Sequence, residues 1–164
     1  MTATLRFLSL AMLTFWVGGL VALGFVAAPV LFDVLTSHDP ETGRTLAGMA
    51  FGAILESFDR LALIAGGVIA ATLAWRAARG PRPRWLVTRA VVLGLMLAAT
   101  VVTGAVIAPR IDVIRLSTPT PIADLPDTDP AKIEFDRLHG LAGGLTLAAI
   151  AGGLALIWTE MQDR

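Results

Sequence analysis

The residues best placed to do chemistry sit in two nearly identical phrases. Residues 135–144 read "FDRLHGLAGG" and residues 58–67 read "FDRLALIAGG", with seven of ten positions identical. In the second phrase Asp136 and Arg137 precede His139; in the first, Asp59 and Arg60 precede Ala62. A carboxylate three residues from an imidazole lies about one helical turn away, where it can fix the tautomer of the ring. Such a histidine serves as a metal or haem ligand, as a proton- or substrate-handling group, or as a hydrogen-bonded structural residue. Glu56 and Arg60 are four apart and Glu134 and Arg137 three apart, so each pair can meet along one helix face. Asp59 and Asp136 then point about 100° away from their arginine neighbours. The expectation is a polar cluster in the outer leaflet of a membrane, with Asp59 and Asp136 as symmetric members. His139, Arg137, Arg60, Glu56 and Arg110 are its other candidates.

Other chemistries find little support. Cysteine is absent, which removes thiolate nucleophiles, thiolate metal sites and disulfides. The only other histidine is His38, and no paired-histidine metal motif occurs. A haem or copper cofactor therefore rests on His139 alone, because Met12, Met49, Met96 and Met161 are scattered as packing residues are. Asp124, Asp127 and Asp129 lack the spacing of a calcium loop. There is no serine-histidine-aspartate constellation, phosphate loop or dinucleotide motif, and nothing supports a nucleic-acid partner. The chain reads as a non-enzymatic protein.

The elements that must position these residues are membrane helices. Of 164 residues, 55% are hydrophobic and only 16% charged, and mean hydropathy is +0.74. Residues 7–32, 90–109 and 138–159 carry no charge, and each is long enough for a hydrocarbon core of roughly 30 Å. The remaining apolar run, Leu61–Trp75, is too short alone, so its helix must extend back through Phe58-Asp59-Arg60. The reading is an all-α, integral membrane four-helix bundle forming a single domain. Its helices cover about 5–35, 45–76 (with an outer extension), 86–110 and 131–160. A cleaved leader is the alternative for residues 1–28, but the apolar stretch exceeds the usual leader length and Pro29 would follow the cut.

The link "RAARGPRPRWLVTR" between the second and third spans holds five arginines and no acid. The positive-inside rule places it in the cytoplasm of a bacterial inner (plasma) membrane, with both termini on the same side. Its arginines set orientation and meet anionic lipid. Asp39-Pro40 and Asp129-Pro130 read as helix starts. The segment "STPTPIADLPDTDP" reads as extended and solvated.

A second echo accompanies the first: "GFVAAP" at residues 24–29 and "GAVIAP" at 104–109 both fit G-x-V-x-A-P. The expected architecture is therefore two parallel two-helix repeats related by an axis along the membrane normal. Gly48 with Gly52, and Gly140 with Gly144, form small-residue pairs that serve either the bundle or a homo-oligomer.

Trp16-Val17-Gly18-Gly19, Ala28-Pro29-Val30-Leu31-Phe32, "VVTGAVIAPRIDVIR" and "FDRLHGLAGG" together resemble the transmembrane protein 205-like family over nearly the whole chain. That resemblance implies a four-helix membrane domain and no established reaction. The W-x-G-G helix is more distantly similar to copper-resistance protein D-like membrane domains, which place histidines in their helices; here only His139 does so. The favoured role is binding or assembly in the lipid bilayer. The alternatives are a haem- or copper-binding redox or transport component using His139, and a small cation or proton transporter using Asp59, Asp136 and His139.

Overall fold

Two prolines decide the shape of two of the four rods in the computed structural model, which describes residues 2–79, 82–118 and 120–162. Gly80 and Pro81 of the arginine-rich link, Pro119 of the acidic segment and Asp163 lie outside the described residues. Helix α1 (Thr2–Ala22) passes through a wide turn at Leu23–Ala27 into α2 (Ala28–His38). In that turn the Ala28 N–H donates to the Leu23 carbonyl, five residues back. Helix α4 (Leu86–Val102) does the same at Thr103–Ile107 before α5 (Ala108–Ser117), with the Ala108 N–H donating to the Thr103 carbonyl. A proline ring offers no N–H and clashes with the carbonyl four residues back. One extra residue in the turn before Pro29 and Pro109 relieves that clash without breaking the rod. Sequence reading ends these helices near residues 35 and 110; they run on through their prolines to His38 and Ser117. Both G-x-V-x-A-P motifs thus mark the same local structure.

The other two rods are α3 (Gly43–Arg79) and α6 (Pro130–Gln162). All four rods are long and apolar enough to cross a membrane. They run up and down in chain order, and α1 also packs on α6, so the ring closes. The bundle therefore has a terminal end, carrying the termini and the arginine-rich link, and a far end carrying the other two connections.

Asp129 caps α6 as expected, its Oδ1 accepting from the Ala131 N–H at 2.8 Å with Pro130 at the first helical position. At the other connection the helix starts later than Pro40. Asp39 instead closes a turn, its Oδ1 accepting from the N–H groups of Glu41 at 3.0 Å and Thr42 at 3.1 Å, and α3 begins at Gly43. Gly43 is required there, because a Cβ would lie 2.0 Å from the Leu35 carbonyl oxygen. The acidic segment is less extended than its composition implies. It holds one helical turn, Ile122–Asp124, and is tied to α6 by Lys132, which donates to the Leu125 carbonyl at 3.0 Å and pairs with Asp127 at 2.7 Å.

The core runs along the bundle axis through Leu13, Trp16, Leu20, Ala62, Ile69, Leu93, Met96, Ala149 and Leu156. Each rod supplies it by a stripe at spacings of three and four, such as Ala62, Gly66, Ile69 and Leu73 in α3. Gly66 lets Trp16 and Leu97 approach, and Gly153 does the same for Val17 and Met96. The rest of the apolar surface faces outward, as lipid-facing helices require. Trp75, Trp85 and Trp158 are exposed at the terminal end, and the Arg79 guanidinium lies 4.2 Å from the Trp75 ring centroid, an arrangement suited to a membrane–water boundary.

Candidate functional site

The buried stripes do not stop where the apolar runs stop. At the terminal end they continue into Arg6 of α1, Arg76 of α3, Arg89 of α4 and Glu160 of α6. Glu160 is 5% exposed, Arg76 6% and Arg89 2%. The Arg76 Nη1 donates to both Glu160 carboxylate oxygens, at 2.7 and 3.0 Å, and the Arg89 Nη1 lies 3.4 Å from one of them. Arg6 donates to the Glu160 main-chain carbonyl at 2.8 Å, and Arg89 to that of Thr159. One turn deeper, Ser9 and Thr72 share a buried hydrogen bond of 2.7 Å. All four rods meet at one residue, Glu160: α3 and α4 at its carboxylate and α1 at its main-chain carbonyl, so this knot sets their relative depth. A buried charge with these partners is costly to disturb, which marks it as a structural clamp.

The second polar place lies on the same α3 stripe, about 25 Å from Arg76 at 1.5 Å per residue, near the opposite side of a bilayer core. Here Asp59 is half-buried against a cavity of about 20 Å³. The cavity is also lined by Leu20 and Leu55, by Ala99, Thr100 and Thr103 around the start of the second wide turn, and by Leu145, Thr146 and Ala149 of α6. Asp59 Oδ2 stands 3.4 Å from where a Cβ on Gly104 would be, so the carboxylate rests against that turn. No hydrogen bond or ion pair reaches the Asp59 carboxylate among the described residues. A cavity of this size holds about one water-sized occupant.

Of the seven expected cluster members, Asp59 alone is not exposed. Glu56 and Arg60 pair as expected, at 2.5 Å, on an exposed face. No ion pair joins Glu134 to Arg137 among the described residues; both are exposed, where water competes for them. Asp136, Arg137 and Arg110 stand on the outside of their rods. His139 is exposed too, and its ring stacks on Phe135 at 6.0 Å and 4° instead of bonding Asp136. Among the described residues no three histidine, aspartate or glutamate side chains come together to hold a metal. The two phrases diverge because their helices are rotated differently: Ala62 is fully buried, whereas its counterpart His139 faces out. Asp59 therefore looks into the bundle and Asp136 away from it.

Sequence reading missed the knot at the terminal end. The arginine-rich link reads as an orientation signal, which already accounts for Arg76 and Arg89. The signal was present in the spacing, since Arg6, Ser9, Leu13, Trp16 and Leu20 form one stripe, as do Arg89, Leu93, Met96, Thr100 and Thr103. It also missed Arg115, which at the far end lies against Gly48, 3.7 Å from Asp112 and 5.4 Å from the Phe135 ring centroid. Gly48 thus accommodates a guanidinium, while among the described residues nothing approaches Gly52, Gly140 or Gly144 within 4 Å of an added Cβ.

No curated protein and no solved structure matches the chain. The sequence pattern of DUF4149, a domain of unknown function, matches residues 11–116, which take in the second rod, most of the first and third, and Asp59 with Thr100 and Thr103 of its cavity. The chain belongs to the DUF4149 family.

Proposed function

We propose that this multi-pass membrane protein is a non-enzymatic binding protein whose ligand site is the cavity beside Asp59. One observation carries the reading: a carboxylate at membrane depth, without a partner among the described residues, faces a cavity lined by three threonines. Ionisable groups inside a membrane are costly and mark functional sites by default. The arginine-rich link favours a bacterial inner-membrane location with both termini in the cytoplasm, which puts the Asp59 cavity in the outer leaflet. The matching wide turns of the two G-x-V-x-A-P motifs support an origin from two parallel repeats. The motif resemblance to the transmembrane protein 205-like family is consistent with this picture and adds no reaction.

The test is a small apolar carbodiimide, which reaches the half-buried carboxyl from the membrane and leaves a stable adduct only away from water. Peptide mapping of the purified full chain should place the adduct on Asp59, with none in Asp59→Asn. An unreactive Asp59 beside labelled Glu56 or Asp136 refutes the reading.

A second reading, assembly of two chains through α6, is favoured by the exposed Asp136 and Arg137 beside Gly140, Gly143 and Gly144, none of which meets a neighbour. Gly144→Leu would then lower the molecular mass in detergent. An unchanged mass removes this reading.

A further inference from the structure

Resting on the reading of Asp59 as the ligand site, we propose that the cavity binds one dehydrated alkali-metal ion of about sodium's size, held by the Asp59 carboxylate and the hydroxyl oxygens of Thr100, Thr103 and Thr146. The polar groups there are arranged as acceptors. The Thr100 hydroxyl donates to the Met96 carbonyl at 3.1 Å and the Thr146 hydroxyl to the Ala142 carbonyl at 2.9 Å. With those protons committed along their own helices, both oxygens have only lone pairs left for an occupant. Thr103 is buried at 9% exposure and opens the wide turn of the third rod, and its hydroxyl has no hydrogen bond among the described residues. A carboxylate plus hydroxyl oxygens is a ligand set for a hard cation and repels an anion.

Charge and size narrow the class. One carboxylate balances one positive charge, and the nearest arginine along the chain, Arg60, is turned outward onto Glu56. A divalent ion would keep a net charge in a wall otherwise made of leucine and alanine, which is costly. The volume of about 20 Å³ takes one water-sized body, so the ion enters stripped of its shell and the hydroxyls replace it. A proton alone needs neither the space nor three hydroxyls. The wide turn explains how a helix offers such a site: it shifts the phase of the rod just where Gly104 rests against Asp59 and Thr103 lines the same cavity.

The experiment measures the rate of carbodiimide modification of Asp59 in the full chain, at fixed pH, in sodium chloride against choline chloride of equal ionic strength. Sodium is expected to slow modification about ten-fold once it reaches about ten times its dissociation constant. Thr103→Val, which keeps shape and removes an oxygen, should still be modified in choline but lose the sodium protection. Equal rates in sodium and choline overturn the metal-ion site while leaving the ligand-site reading intact. Absence of modification in choline overturns both. Protection that survives in both Thr103→Val and Thr100→Val removes the hydroxyls from the site and overturns the proposal as stated.

Discussion

Replacing Glu160 with glutamine deletes one negative charge and almost no volume from the knot at the terminal end. The carboxylate is 5% exposed and takes two contacts from the Arg76 Nη1, at 2.7 and 3.0 Å, with the Arg89 Nη1 at 3.4 Å. At an effective dielectric near 20, one ion pair at such a distance is worth about 5–6 kcal/mol before the cost of stripping water from it. The substitution leaves two guanidiniums buried without that charge, and losing one partner of a buried pair costs about 3–5 kcal/mol. The Arg6 bond is to the Glu160 main-chain carbonyl and survives, which keeps the expected loss within that range. Arg76→Met alone should cost less, since Arg89 still faces Glu160. Because Arg76 and Glu160 share the contact, the double variant should fall short of the sum by about 1–3 kcal/mol. The assay is reversible unfolding in mixed micelles followed by circular dichroism. A loss below about 1 kcal/mol for Glu160→Gln, or strict additivity in the cycle, would mean that the knot is hydrated and that the clamp argument is wrong.

Other outcomes follow from single contacts. Gly43→Ala drives a methyl into the Leu35 carbonyl and should cost about 1–3 kcal/mol in the same assay, whereas Gly52→Ala, which meets nothing, should change little. Trp16→Ala empties the fully buried centre of the core and should cost about 3–5 kcal/mol. His139→Ala, removing an exposed ring, should leave both unfolding and Asp59 modification unchanged; a loss of bound haem or copper would overturn that placement. The side-chain bond from Thr42 holds Asp39 below its ordinary value of 3.8, and Lys132 does the same for Asp127. The stability they contribute is full above the unfolded aspartate range and is lost as pH falls through the lowered values. Amide protection in both connections, taken relative to the intrinsic exchange rate at each pH, should therefore stay flat from neutral pH to about pH 5 and fall only below the ordinary aspartate range.

The rods were legible because bilayer thickness and apolar run length fix them almost without context, and Asp59 was legible because a span that must extend back through it puts a charge at membrane depth. Their ends were not. The charges that follow the apolar runs put two of them near residues 35 and 110, and accommodation of Pro29 and Pro109 by a wider turn carries those helices on to His38 and Ser117. The polar cluster built around His139 failed to assemble because seven matching letters do not fix how a helix is rotated. Ala62 lies on the inner stripe of α3, while Leu138 takes that role in α6 and turns His139 outward. The terminal-end knot was hidden for the opposite reason. Its arginines fall in a link whose composition already had a sufficient explanation, although the spacing of the buried stripes runs straight into them.

Sodium binding beside Asp59 is read in the sodium dependence of unfolding. A chain that binds the ion only when folded gains stability with sodium concentration, about 2.7 kcal/mol at one hundred times the dissociation constant. The unfolding midpoint of the wild type should rise with sodium in place of choline, while that of Asp59→Asn stays level. Parallel curves for the two chains, or a flat curve for the wild type, would contradict it.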